Sequence, residues 1–176
     1  VFIQTLVGQE NLPGFNCSGF AKWVVDGLVE PITGSFLEIA PLKRKHLEYR
    51  GTRWSAPLED SRDPYFGLDW SRNLALSVRA LNTGTRPELI SPEACDVRSV
   101  PVSQYLEDTG YPVSDLGGIL YWLAIHEPGH FYIGSVNREF GDGPVMRQHT
   151  HVVVLFPHFE SDGRFENVEF SRAGIR

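Results

Sequence analysis

The chain has 176 residues, 41% of them hydrophobic and 22% charged, with a formal net charge of −6. That length and balance fit one soluble domain with its own core, and the acidic surplus argues against nucleic acid as a partner. No apolar run approaches the ~20 residues of a membrane-spanning helix, and two cysteines, Cys17 and Cys95, are too few for a disulfide framework.

Residues 1–13 read as an irregular lead-in ending at Pro13-Gly14. From Cys17 to about Val29 the spacing predicts a helix, with Asn16 as N-cap. Phe20, Val24 and Leu28 share one face, Ala21 and Val25 widen it, and Trp23 makes the helix apolar on more than one side. A central, buried helix is therefore expected, ended by Pro31 and Gly34. Pro41 to His46 is a short basic cluster and reads as a solvated turn. Arg53 to Tyr65 reads as loop. A second helix is expected from Asp69, its cap, with Leu74, Leu76, Val78 and Leu81 on the apolar side and a stop at Asn82-Thr83-Gly84. In its first turn Trp70 is expected to pack and Arg72 to face solvent. Pro87 to Val102 reads as irregular with short strands, and Val102 to Leu106 as a short helix or strand.

After Gly117 the pattern changes. Ile119 to Ile125 is a compact apolar run and is expected to be a strand; Glu127-Pro128-Gly129 is a turn. His130 to Val136 alternates as a strand, followed by a Gly-rich loop at Phe140 to Pro144. Val145 to Phe156 is a long strand, and Arg164 to Phe170 another behind Asp162-Gly163. The fold class expected is α+β, with a helical first half and an antiparallel meander after it.

The chemistry points to Cys17. A helix N-terminus presents unpaired N–H groups and the positive end of the macrodipole. A thiolate is stabilised there, so Cys17 is a candidate nucleophile and its own N–H a candidate oxyanion donor. Six histidines are available as base: His46, His126, His130, His149, His151 and His158. His130 opens a strand after a Pro-Gly turn. A hairpin closed near Gly141 would place His151 opposite His130, with His149 one step along the same face. His126 and His158 read as turn residues, and Cys95 as a structural thiol. A Cys17–Cys95 bridge would remove the nucleophile. His149 and His151, two apart on a strand, also have the spacing of a metal pair that His130 would complete.

Phe15-Asn16-Cys17-Ser18-Gly19-Phe20 resembles the Asp-Cys-Ser-Gly motif of NlpC/P60 cysteine peptidases, which have a papain-like fold. In that family the cysteine sits on a central helix and the histidine opens a strand. Gly118-Ile119-Leu120-Tyr121-Trp122 and Gly129-His130-Phe131-Tyr132-Ile133-Gly134 are similar in order and character to the family's strand segments. The family's third residue lies on the following strand, as His149 and His151 do. Residues 30–115 fall outside the resemblance, and Asn16 stands where the family has aspartate. Papain-like enzymes often place a glutamine upstream of the cysteine, a place Gln9 would take.

The resemblance implies a single papain-like catalytic domain over residues 1–176, excised from a longer secreted or surface protein and working outside the cytoplasm. The implied activity is hydrolysis of a peptide or amide bond, with Cys17 as nucleophile, His130 as base, and His151 or His149 orienting it. The implied partner is a peptide or protein substrate, such as a cell-wall peptide. A monomer is expected, with no cofactor. The alternatives are a binding or adhesion module on the same scaffold, and a metal-dependent hydrolase using His130, His149 and His151.

Overall fold

A computed structural model describes residues 16–45, 68–107, 109–142 and 146–170. The expected lead-in, Gln9, His46 and the loop at 53–65 lie outside the described residues.

Helix α1 spans Cys17–Thr33. Asn16 caps it: its side chain accepts the Gly19 N–H at 2.8 Å and the Ser18 hydroxyl at 3.2 Å. The helix runs through Pro31 and stops at Gly34, whose φ of 74° is left-handed and whose N–H bonds Glu30 O. Pro31 removes one intrahelical bond but sits within the last turn, so the helix survives it until Gly34 supplies the left-handed residue. The buried stripe is Ser18, Ala21, Val25 and Val29, whereas Trp23 is 59% exposed and Ile32 81%. The helix is thus one-sided and not central as its composition predicts. Asp26, buried, accepts the Leu37 N–H at 3.0 Å and pairs with Lys22, and so fixes the chain as it leaves the helix. The short helix α2, Ile39–Leu42, follows and buries Leu42.

Helix α3 spans Leu68–Thr83 and ends before Gly84, as expected. Asp69 lies inside the first turn and not at the cap. Residues 69 to 74 are all buried, Arg72 included, contrary to the solvent-facing role predicted for it. Arg72 is turned inward by a carboxylate: its guanidinium holds Asp96 from the stretch that follows. That stretch contains 3-10 turns at Pro87–Leu89 and Pro92–Cys95 and two isolated bridges, Val100 to Ser103 and Leu106 to Gly110, with no strand among its described residues.

The apolar run expected to be a strand is helix α4, Leu116–His126. A continuous apolar run carries no period that separates helix from strand. Its buried members, Ile119, Leu120, Leu123 and Ala124, fall at helical spacing. The sheet comprises β1 (Tyr132–Phe140), β2 (Met146–Phe159) and β3 (Phe165–Phe170), antiparallel and in the order β1-β2-β3.

Strand β2 is buried on both faces. Val152 and Val154 join Ala21, Val25, Val29, Trp70 and Leu74 in one core, under α1 and α3. Val153 and Leu155 join Ile119, Leu120, Leu123 and Val100 in a second, under α4. Successive strand residues point to opposite faces, so helices on both sides require an unbroken apolar run. The observed class is α+β: helices on a small three-stranded antiparallel sheet.

Candidate functional site

Cys17 is the first residue of α1, where the dipole favours a thiolate. It is part-buried and packs against the α1–α3 core. The first turn of α3 meets it there: the Trp70 indole N–H donates to Ser18 O at 3.1 Å. Neither Cys17 nor Cys95 is in a disulfide.

The register decides on which face of the sheet each strand histidine lies. Tyr132 pairs with Leu155, Ser135 with Val152, Val136 with His151 and Asn137 with His149. His130 therefore lies six positions before the residue that faces His151, and two before β1 begins. The expectation that His151 falls opposite His130 is not met. His130 sits in the turn before β1, exposed, with its ring Nδ1 and its backbone N–H both on Glu127 O.

Thr150 is the cause of a second correction. Val136 and Asn137 are adjacent, but their partners are His151 and His149, so Thr150 is an extra residue and the ladder is bulged. Paired residues share a face. Ser135 lies on the face of its partner Val152, the α1 face, and Asn137, two residues on, lies there too. His149, paired with Asn137, is consequently on the α1 face. His151, paired with Val136, is on the α4 face. The two histidines do not share a face, and the metal pair suggested by their spacing does not form. No cluster of three or more potential metal-ligating side chains occurs among the described residues.

His149 is buried, and its Nδ1 lies 2.8 Å from the Ser135 hydroxyl. The bulge has placed one imidazole on the Cys17 side of the sheet and fixed its orientation. The sequence offered no signal for Ser135, because its partnership depends on a one-residue irregularity in the neighbouring strand.

A cavity of about 1500 Å³ is lined by β1, α3, residues 94–113 and α4, and reaches His149, Val153 and Leu155 of β2. Ser71, Ser135, His149, Trp122, Glu127 and Tyr132 are among the residues that line it. The Tyr132 hydroxyl donates to Glu127 at 2.7 Å. Burial, then the Glu127 carboxylate, hold that phenol far above its usual range. Cys95 lines the same cavity, and burial pushes its thiol up, against the pull of Arg79.

His126 stacks on Trp122 and His158 bonds Phe156 O and Glu160, so both serve local structure. No described helix is long and apolar enough to cross a membrane. Comparison with family models, curated proteins and solved structures finds no match for the chain.

Proposed function

We propose that the chain is a cysteine hydrolase of amide or peptide bonds in which Cys17 is the nucleophile and His149, not His130, is its base. One observation carries this: the Thr150 bulge turns His149 onto the face of the sheet that α1 covers and leaves its Nδ1 on Ser135. With Nδ1 engaged, Nε2 is the nitrogen that exchanges a proton with the thiol. His149 takes the proton of Cys17, and the thiolate attacks the carbonyl carbon. The oxygen that gains the electron pair is met by the Cys17 N–H at the helix start. The imidazolium returns its proton to the leaving amine as the C–N bond breaks. Water, deprotonated by His149, then cleaves the thioester. A cysteine-bearing helix laid on a histidine-bearing sheet is the papain-like arrangement, and the NlpC/P60 resemblance of the Cys17 motif points to work outside the cytoplasm.

The test is the pH dependence of iodoacetamide alkylation at Cys17, read by peptide mapping. Wild type is expected to label well below pH 8, His149→Gln to lose that reactivity, and His130→Ala to keep it. Labelling of wild-type Cys17 like an ordinary thiol, with a midpoint near ~8.5, ends the proposal. Loss in His130→Ala with retention in His149→Gln returns the base to His130.

A further inference from the structure

We infer that the cavity beside β1 is a cleft for an extended polypeptide that pairs with β1 as an additional strand. This deepens the hydrolase proposal by naming the substrate class, and it rests on the placement of His149 beside the cleft.

Strand β1 is an edge of the sheet. Its inner side pairs with β2 throughout. Each residue of an edge strand carries one N–H and one C=O, and alternate residues direct theirs outward. From Tyr132 to Val136 no described backbone group bonds outward to another part of the chain. An exposed edge of this kind is ordinarily covered, charged or broken. Every residue from Phe131 to Asn137 lines the cavity, and none of them is charged. The edge is therefore the floor of a cleft, and helix α3, helix α4 and residues 94–113 are its walls. The Asn137 side chain closes one end by donating to Thr109 O at 2.9 Å.

The chemistry of that floor selects the occupant. Outward donors and acceptors recur every second residue, and an extended peptide backbone repeats with the same period. An acyl chain offers no such groups. The volume of about 1500 Å³ exceeds the ~300–1,000 Å³ usual for small-molecule sites. Side chains of a paired strand would point alternately to the two walls. On the α4 side they would meet Tyr132, Leu120 and Leu123; on the α3 side, Ala75 and Val78. A backbone laid along Tyr132 to Ser135 passes His149, which lines the cavity.

Binding is tested on the whole chain carrying Cys17→Ala, with Cys17→Ser as second variant, so that peptide capture is read without any reaction. The probe is a synthetic library of random, end-capped heptapeptides. The tightest member is then remade with single backbone N-methyl groups. Two results are expected. Methylation at alternate amides weakens binding about tenfold each and at the intervening ones changes it less than about twofold, as loss of single hydrogen bonds requires. Amide exchange slows within Tyr132 to Asn137 when peptide is present. No library member binding below about 1 mM, or an N-methyl pattern without a period of two, overturns the inference. So does protection of β1 that grows with protein concentration in the absence of peptide, which would mean that a second copy pairs there. Peptide binding with an unreactive Cys17 leaves the cleft standing and removes the hydrolase; a reactive Cys17 with no peptide binding does the reverse.

Discussion

The contact between Arg72 and Asp96 fastens the wall of the cleft to helix α3. Arg72 Nε donates to Asp96 Oδ1 at 2.9 Å, and Nη2 donates to Oδ2. The side chains are 4% and 13% exposed. Arg98, itself 38% exposed, adds a longer contact to the same carboxylate. Asp96→Asn keeps one acceptor for Nε but sets an amide N–H₂ against Nη2, so the buried guanidinium loses the charge of Asp96. Breaking one side of a buried pair costs about 3–5 kcal/mol. The residual access at Asp96 and the retained Nε bond put the expected loss near the lower end, about 3 kcal/mol. Domains hold only about 5–15 kcal/mol in all. In urea, with a slope of about 1–3 kcal/mol/M, the midpoint should fall by roughly 1–3 M with the slope unchanged. Replacing both partners by apolar residues, Arg72→Met with Asp96→Leu, should recover most of the loss, because the buried guanidinium goes with its carboxylate and only the part-exposed Arg98 loses a contact. A drop of less than about 1 kcal/mol in the single variant, the range of exposed pairs, would refute the reasoning and mean that solvent screens the contact. In that event Asp96 does not anchor the wall.

Asn16→Ala removes the cap of α1 and should cost about 1 kcal/mol in urea unfolding, whereas Asn16→Asp should be tolerated; equal stability of Asn16→Ala and wild type would show that the cap bond to Gly19 contributes nothing. Gly134→Ala places a Cβ 2.8 Å from Val153 Cγ2, an overpacking worth about 1–3 kcal/mol, and adding Val153→Ala should relieve the strain, read as a double-mutant cycle. The Phe156 carbonyl, then Glu160, raise the pKa of His158 above its usual value. A group raised on folding stabilises fully below its unfolded pKa and loses that contribution as pH rises through the folded pKa. The His158 ring shifts followed by NMR should therefore titrate above pH ~6.5, and Glu160→Gln should lower the midpoint; no change on that substitution would assign the shift to the Phe156 carbonyl alone.

Local signals in the sequence were reliable wherever one residue type decides one event. Asn16 caps α1, Gly34 and Gly84 end helices, the alternation through Tyr132 to Val136 makes a strand, and the long β-branched run to Phe156 makes another. Signals failed where tertiary partners decide. Ile119 to Ile125 has no period, and its state is set by packing on Val153 and Leu155. Arg72 looks like a surface cation until Asp96, 24 residues later, turns it inward. Trp23 and Leu28 raise the apolar count of α1 but are not on its buried stripe.

The histidines show the same division at the level of the site. His149-Thr150-His151 reads as two imidazoles on one face because strand residues two apart share a face. That rule presupposes a regular ladder. One unmatched residue, Thr150, reverses the facing of everything before it in β2, and nothing in the identity of threonine announces a bulge. The consequence is chemical and not only geometric. Without the bulge His149 and His151 would both stand on the α4 face with Val153 and Leu155, away from α1. With it, His149 alone crosses to the Cys17 side, where Ser135, the partner of Val152, is within hydrogen-bond reach. The bulged register therefore decides which histidine faces the α1 side of the sheet, and the proposed pairing of His149 with Cys17 rests on it more than on the motif around Cys17.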